Sequence, residues 1–327
     1  MKPLLLHYFI TNRCNARCRF CAIWKEQPKK DVKSENVSQN LSDARKAGCR
    51  FVDFTGGEPL LHPDLPLFLK KAKEHGLITS VTTNTILFPD RVRELAGLID
   101  LLHFSIDADN AELNDDLHGT MTYNTALRSI PLAINNNLFP DLLFTYSDTN
   151  IDHFLGLYRV ARENKIMIIL DPLFNPEGRD TVLPATHRKA LEYSRLPGVY
   201  LNKAHLALRQ QGGNSTIKTI CKAVSSVIVV LPDNTLALPC FHHCREKIEI
   251  KPSLTSVLSH PLRLEALKNQ GHYSFCEGCH INCYFDPSYT FLRNDLFIKS
   301  ITTKGRYAFQ KYFRYKRPFH FMWGGKR

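Results

Sequence analysis

Through its first 180 or so residues the chain alternates short β-rich runs with amphipathic helical stretches, a rhythm that restricts it to successive βα units around a parallel sheet. Runs at 4–10, 51–55, 78–83, 101–107, 142–146 and 166–170 are the predicted strands. Between them Val37, Leu41, Ala44 and Ala47 keep helical spacing, a second helix opens at Pro63 and stops before Gly76, and 125–137 and 151–163 read as two more. Six strands with intervening helices predict an α/β fold, a partial (β/α)6 barrel of the TIM type, with chemistry at the C-terminal ends of its strands. The apolar run in residues 1–10 is brief and leads straight into a Cys-rich segment with no small-residue cleavage site, so it reads as a buried first strand and not as a signal peptide.

After the helical pattern at 185–195 comes the polar stretch QQGGNST at 210–216, where the pattern changes. Residues 226–231, then Pro-Asp-Asn, then 235–238 read as a β-hairpin. The expected organisation is a barrel over 1–210, a smaller Cys-rich domain over 211–290 and a basic aromatic tail over 291–327.

The ten cysteines are grouped: Cys14, Cys18 and Cys21 follow the first strand, Cys49 stands alone, and six lie between 221 and 283. C-x3-C-x2-C and C-x2-C-x3-C spacings suit metal ligation better than disulfides in an intracellular protein. Cys49 is most simply a small buried apolar residue. Three thiolates can hold three irons of a [4Fe-4S] cube and leave the fourth open to a small molecule; with a fourth ligand from elsewhere, the same three could form a zinc site.

The C-x3-C-x-Φ-C signature, with Phe20 as Φ, resembles that of the radical S-adenosylmethionine (SAM) superfamily. Other segments resemble the family in the expected order. Thr55-Gly56-Gly57-Glu58-Pro59 follows the second strand, where the family has a glycine-rich contact to the amino end of SAM. Thr82-Thr83-Asn84 and Ser105-Ile106-Asp107 end the third and fourth strands, where polar residues line the ribose and the substrate. The resemblance implies a [4Fe-4S] cluster on Cys14, Cys18 and Cys21. It implies SAM bound near Gly56, Gly57, Glu58, Asn84, Ser105 and Asp107, and its reductive cleavage to methionine and a 5′-deoxyadenosyl radical that removes hydrogen from a substrate. It also implies a one-electron donor such as flavodoxin or ferredoxin. Asn84 and Asp107 read equally well as caps of the helices that follow, and Asn150 is a pocket or cap residue on the same terms. In Asp116-Leu117-His118-Gly119, His118 stands where the family commonly has Arg, which removes any contact that Arg makes. No single catalytic residue is assigned.

Cys221, Cys240, Cys244, Cys276, Cys279 and Cys283 resemble the auxiliary-cluster extensions called SPASM or twitch, in a shortened form that implies one further [4Fe-4S] cluster. The favoured ligands are Cys276, Cys279 and Cys283 with Cys240 or Cys221; a structural zinc site is the alternative.

The formal charge is +12, yet the segment from Lys299 to the end carries nine Lys or Arg and no acid, leaving the rest at +3. A uniformly basic nucleic-acid surface is not what this describes. The tail mixes Tyr307, Phe309, Tyr312, Phe313, Tyr315, Phe319, Phe321 and Trp323 with cations. It suits a helix docked on the barrel, a contact with an RNA backbone, or a peripheral contact with anionic membrane, the last of which would favour a lipid or isoprenoid substrate over a small metabolite or peptide. With no run of ~18 apolar residues, a cytoplasmic protein, soluble or peripheral at the membrane surface, is expected. The competing function is a non-enzymatic zinc protein with a basic interaction tail.

Overall fold

The computed structural model describes residues 2–175 and 177–317. One ten-stranded sheet runs in the order β10-β9-β8-β1-β2-β3-β4-β5-β6-β7. Its strands are β1 Leu5–Thr11, β2 Phe51–Gly56, β3 Ile78–Thr83, β4 Leu101–Ser105, β5 Asp141–Tyr146, β6 Ile168–Pro172, β7 Val199–Leu201, β8 Val227–Val230, β9 Thr235–Leu238 and β10 Glu246–Glu249. All neighbours from β8 through β1 to β7 are parallel, while β9 and β10 turn back antiparallel. Parallel neighbours need crossover connections. Helices supply them: α1 Ser34–Ala47, α2 Leu65–Glu74, α3 Phe88–Leu95, α4 Ala111–His118, α5 Tyr123–Asn135, α6 Phe154–Glu163 and α7 Pro184–Tyr193. The sheet is a partial barrel, curved but not closed.

Strand alternation sorts the two faces. Leu6, Tyr8 and Ile10 of β1, Val52 and Phe54 of β2, and Phe104 and Phe144 further round point outward into one core beneath the helices. The alternate positions, including His7, Asp53, Ser80, Thr82, His103 and Asp171, face inward. The barrel interior therefore carries a cluster of polar groups among apolar ones such as Leu5 and Phe9. Asp53 accepts from Ser80 Oγ at 2.9 Å and meets His7 Nδ1 at 3.2 Å, and Thr82 Oγ1 meets His103 Nδ1 at 3.3 Å.

The predicted hairpin is β8–β9, turning at Asn234 with φ 58°. It does not start a separate sheet: β8 pairs in parallel with β1 along Leu5–Tyr8. The open side of the barrel, between the β8–β10 end of the sheet and the β6–β7 edge, is filled by α8 Lys203–Gln210 and the Asn282–Tyr289 helix, whose Tyr284, Phe285 and Tyr289 share a second core with Phe9, Leu208, Val227 and Val229. The buried Arg209 of α8 fastens this side, donating to the Pro172 and Leu173 carbonyls and pairing with Asp180 at 2.7 Å.

The tail, as far as it is described, lies across the N-terminal ends of the later strands. The Asp295–Ala308 helix packs on α8 and β7. Beyond it Lys311 Nζ donates to both oxygens of Asp141, the first residue of β5, at 2.7 and 2.8 Å, and Tyr307 Oη donates to the same carboxylate. Gln310 accepts from the Gly198 amide, and the Arg317 guanidinium lies 4.2 Å from the Phe139 ring. Docking on the barrel thus accounts for Tyr307, Lys311, Tyr315 and Arg317, and a membrane-facing tail finds no support in them. Phe309 and Phe313 stack on each other in solvent; Phe319, Phe321 and Trp323 lie outside the described residues. Among the described residues, no helix is long and apolar enough to cross a membrane.

Asp141 and Lys311 side chains are 1% and 5% exposed. Lys311→Met leaves a buried carboxylate without its cation, which costs about 3–5 kcal/mol. We expect a matching fall in unfolding free energy by denaturant titration, largely recovered when Asp141→Leu is added.

Candidate active site

At Thr11 the chain leaves β1 at the C-terminal face of the barrel and forms a loop carrying Cys14, Cys18 and Cys21, all half-buried. Backbone bonds fix the loop to the end of α4: Arg17 N to His118 O and Arg19 N to Leu117 O, both 3.0 Å. Trp24 Nε1 donates to Cys18 O at 3.2 Å, and Asn84 Nδ2 reaches from the end of β3 to Asn15 Oδ1 at 2.8 Å. Burial pushes the Cys14 thiol up to about 11, with Glu58 and the other two cysteines adding to the rise, and burial also raises Cys21. Such thiols ionise only when a cation replaces the proton. Among the described residues, no three His, Cys, Asp or Glu side chains converge as ligands of a single ion; in a cube each cysteine binds a different iron. The donor set fits an iron–sulfur cluster.

Gly56 and Gly57 are required by the chain and not only by a ligand. A Cβ on Gly56 would stand 1.9 Å from Thr11 O, and one on Gly57 2.0 Å from Arg13 O. Their absence lets the end of β2 dock on the root of the cysteine loop, through Gly57 N to Thr11 O and Glu58 N to Arg13 O. Glu58 points inward, 2% exposed. Its carboxylate accepts from Leu60 N, Thr83 Oγ1 and Asn84 N at 2.8–3.0 Å, three of about four acceptor positions. Burial lifts it to about 7 against those bonds.

Asp107 is similarly spoken for. Thr145 N donates to its Oδ1 at 2.6 Å, its own amide donates to Asn114, and Asn150 Nδ2 holds its carbonyl at 2.9 Å. Its Oδ2 lies 2.9 Å from His118 Nε2, close enough for an ion pair but poorly directed as a hydrogen bond. The other imidazole nitrogen, Nδ1, is 3.6 Å from Cys18 Sγ. Burial alone would lower the His118 pKa, but Asp107 and Cys18 hold it up at about 10. His118 therefore bridges the cysteine loop and the end of β4, a contact not visible in the sequence. Ser105 sits half-buried at that strand end. A cavity of about 340 Å³ opens here, lined by Phe20, Cys21, Thr145, Asn150 and Leu173 among others.

Four of the C-terminal cysteines meet elsewhere. Cys221, Cys240, Cys276 and Cys279 line one apolar cavity with Pro239, Tyr284 and Phe285. Burial raises all four thiols, Cys221 to about 12 and Cys276 to about 11. Asn214, in the polar stretch 210–216, is 1% exposed and clasps the site: its Nδ2 donates to Gly271 O and Cys276 O, and its Oδ1 accepts from Ile220 N and Cys221 N. Cys283 does not join them, contrary to the favoured set. It lies in the first turn of the Asn282–Tyr289 helix, exposed, with Asp171 and Asp53 of the barrel interior as its charged neighbours. Cys244 is half-buried and lines a different cavity, with Phe9 and Phe241, its Sγ 3.4 Å from Glu246 O.

A family model described as the radical SAM superfamily matches residues 8–161, the segment that holds the cysteine loop, Gly56-Gly57-Glu58, Asn84, Asp107 and His118. The chain carries a radical SAM domain. It is an iron–sulfur enzyme, and the competing zinc-protein reading has no support. Over 173 residues it is 31% identical to a GTP 3′,8-cyclase of Desulforamulus reducens, covering 50% of this chain and 53% of that protein. It is 26% identical over 200 residues to an AdoMet-dependent heme synthase of Methanosarcina barkeri, covering 58% and 57%. The chain spans about half the length of these curated relatives. Among solved structures, Streptococcus suis SuiB bound to precursor peptide SuiA superposes with a TM-score of 0.69 at 18% identity over 85% of this chain and 70% of that one. The structure of anSMEcpe with bound AdoMet and a peptide gives 0.62 at 16% identity over 94% and 97%. These two likenesses establish the radical SAM fold for the chain.

Proposed function

We propose that this radical SAM enzyme holds its cofactor cluster on Cys14, Cys18 and Cys21 and abstracts hydrogen from a polar substrate group lodged in the barrel. The observation that carries the reading is the placement of the three-thiol loop at the barrel mouth, with a cavity running from Cys21 to the ends of β5 and β6. The bound cluster supplies the electron that cleaves SAM to methionine and a 5′-deoxyadenosyl radical. Asn84 and Ser105 sit at the strand ends facing that cofactor. Glu58 and Asp107 hold the loops on which it rests, and His118 steadies Cys18. The inward residues His7, Asp53, Ser80, His103 and Asp171 favour a metabolite or a peptide side chain over an isoprenoid tail, since an apolar chain would leave buried polar groups unpaired. The second cavity takes one auxiliary [4Fe-4S] cluster on Cys221, Cys240, Cys276 and Cys279. Four thiolates leave no iron open, which suits electron relay or structure. The division into a barrel over 1–210, an iron–sulfur unit over 211–290 and a closing tail belongs to the same proposal. The absence of disulfides among all ten cysteines suits a reducing, cytoplasmic setting.

The test is direct: protein reconstituted anaerobically with iron and sulfide, then given dithionite and SAM, forms 5′-deoxyadenosine and methionine. No product from fully loaded protein overturns the reading.

The electron must arrive from outside, and the loop is ringed by cations. Arg17, Arg19, Lys25, Lys29, Lys30 and Lys33 are exposed; Arg19 and Lys30 are paired with Asp116 and Asp233. An acidic donor such as flavodoxin or ferredoxin suits this ring. We expect Arg17→Glu with Lys25→Glu to slow cluster reduction by flavodoxin about tenfold at low ionic strength, while reduction by dithionite keeps its rate, both followed by loss of visible absorbance.

A further inference from the structure

Cys283 combines two properties that rarely coincide. Its side chain is exposed, yet the Asp171, Asp53 and Asp286 carboxylates are its charged surroundings. Asp53 belongs to β2 and Asp171 to β6, on the inward faces of strands well apart in the sheet. A side chain that feels both stands between them, in the barrel interior, and its open surface faces that interior space. The neighbouring Asn282 Nδ2 donates to Asp171 Oδ1 at 2.8 Å and fixes the helix turn. His7, on the inward face of β1 and 9% exposed, gives Nδ1 to Asp53 and leaves Nε2 with no hydrogen-bond partner; its ring lies 6.1 Å from Tyr284, the next residue after Cys283. A buried, unpartnered imidazole nitrogen beside an open interior is what a site for a polar ligand leaves before the ligand arrives.

Leu173, two residues beyond Asp171, lines the cavity that Cys21 borders. Through Asp171, Cys283 neighbours the strand end at which that cavity opens. We propose that Cys283 is a hydrogen-atom donor to carbon radicals formed in the barrel. The proposal rests on the radical-generating function proposed above. The step balances: a substrate carbon radical takes the hydrogen atom of the S–H bond, which is weaker than the C–H bond formed, giving reduced product and a Cys283 thiyl radical. One electron from the low-potential donor that the reaction already requires, with one proton from water, restores the thiol. Burial and the two aspartates push the Cys283 pKa up to about 12, so at neutral pH the hydrogen to be donated is in place.

Thiol hydrogens exchange with solvent and carbon-bound hydrogens do not, which permits a test with no substrate. Reconstituted full-length enzyme is given SAM and dithionite in D2O, and the 5′-deoxyadenosine formed is weighed by mass spectrometry. The expected result is one deuterium in much of the wild-type product. Cys283→Ala and Cys283→Ser should each lower that label at least tenfold with iron content unchanged, and Cys244→Ala should keep it. Unlabelled wild-type product, or label retained in both Cys283 variants, overturns the inference alone. A loss of about four irons in those variants overturns it by making Cys283 a cluster ligand. If the loaded wild type forms no 5′-deoxyadenosine, the proposed function fails and this inference with it.

Discussion

Cys18→Ala is expected to abolish 5′-deoxyadenosine formation and to lower the iron content of reconstituted protein by about four per chain. Cys18 is the middle thiol of the loop, and two thiolates cannot hold a cube whose fourth corner must stay free for SAM. It also faces His118 Nδ1, so its loss strips the buried imidazole of one of its two polar neighbours. The loop itself should persist, because its bonds to Leu117, His118 and Asn84 run through the backbone of Arg17 and Arg19 and the side chain of Asn15. Far-ultraviolet circular dichroism should therefore match the wild type. Cys49→Ala is the control: Cys49 is fully buried outside both cavities, and its removal should cost stability but no iron. Retention of product by Cys18→Ala at full iron loading would remove the basis for placing the radical chemistry at this loop.

Cys279→Ala should also cost about four irons per chain while leaving SAM cleavage by dithionite-reduced enzyme in place, because its site and the cysteine loop share no ligand. Cys279 lines the cavity with Cys221, Cys240 and Cys276; its backbone carbonyl accepts from Asn214 N at 3.0 Å, a bond that alanine keeps, so the substitution removes the ligand and leaves the clasp. Cys244→Ala should keep all the iron. The contrast decides the ligand set, since sequence spacing favours grouping Cys279 with Cys283. If the C-terminal site carries zinc and the wild type holds only about four irons, the auxiliary cluster is wrong.

Strand and helix positions were legible because alternation and helical periodicity are local. The predicted strands 51–55 and 78–83 fall within a residue of β2 and β3, and the hairpin follows from Pro-Asp-Asn between two apolar runs. β7 went unseen because it is three residues long, and β10 because Glu-Lys-Ile-Glu offers a single apolar residue. That β8 continues the barrel sheet was beyond reach, since its pairing with β1 joins segments over 200 positions apart. At the site, the identity of Gly56 and Gly57 was visible, but the carbonyls of Thr11 and Arg13 that exclude a Cβ were not. Cys283 was misgrouped because C-x2-C-x3-C reads as one unit on paper. A helix begins at Asn282, between the second and third cysteines, and carries Cys283 toward the barrel. Asn214 gave no signal at all: a buried clasp residue in a Gly-Asn-Ser stretch has the composition of a linker.

Among the described residues, the tail lying across the N-terminal ends of β5 to β7, anchored at Asp141, covers that end of the barrel and leaves the C-terminal face as its mouth. On the proposed placement of SAM, whatever enters to lie beside Asp53 and Asp171 passes the cofactor's ground and leaves by the same route. Traffic is then a queue: the deeper guest goes in first and comes out last, and the spent halves of SAM must clear the doorway before product can depart.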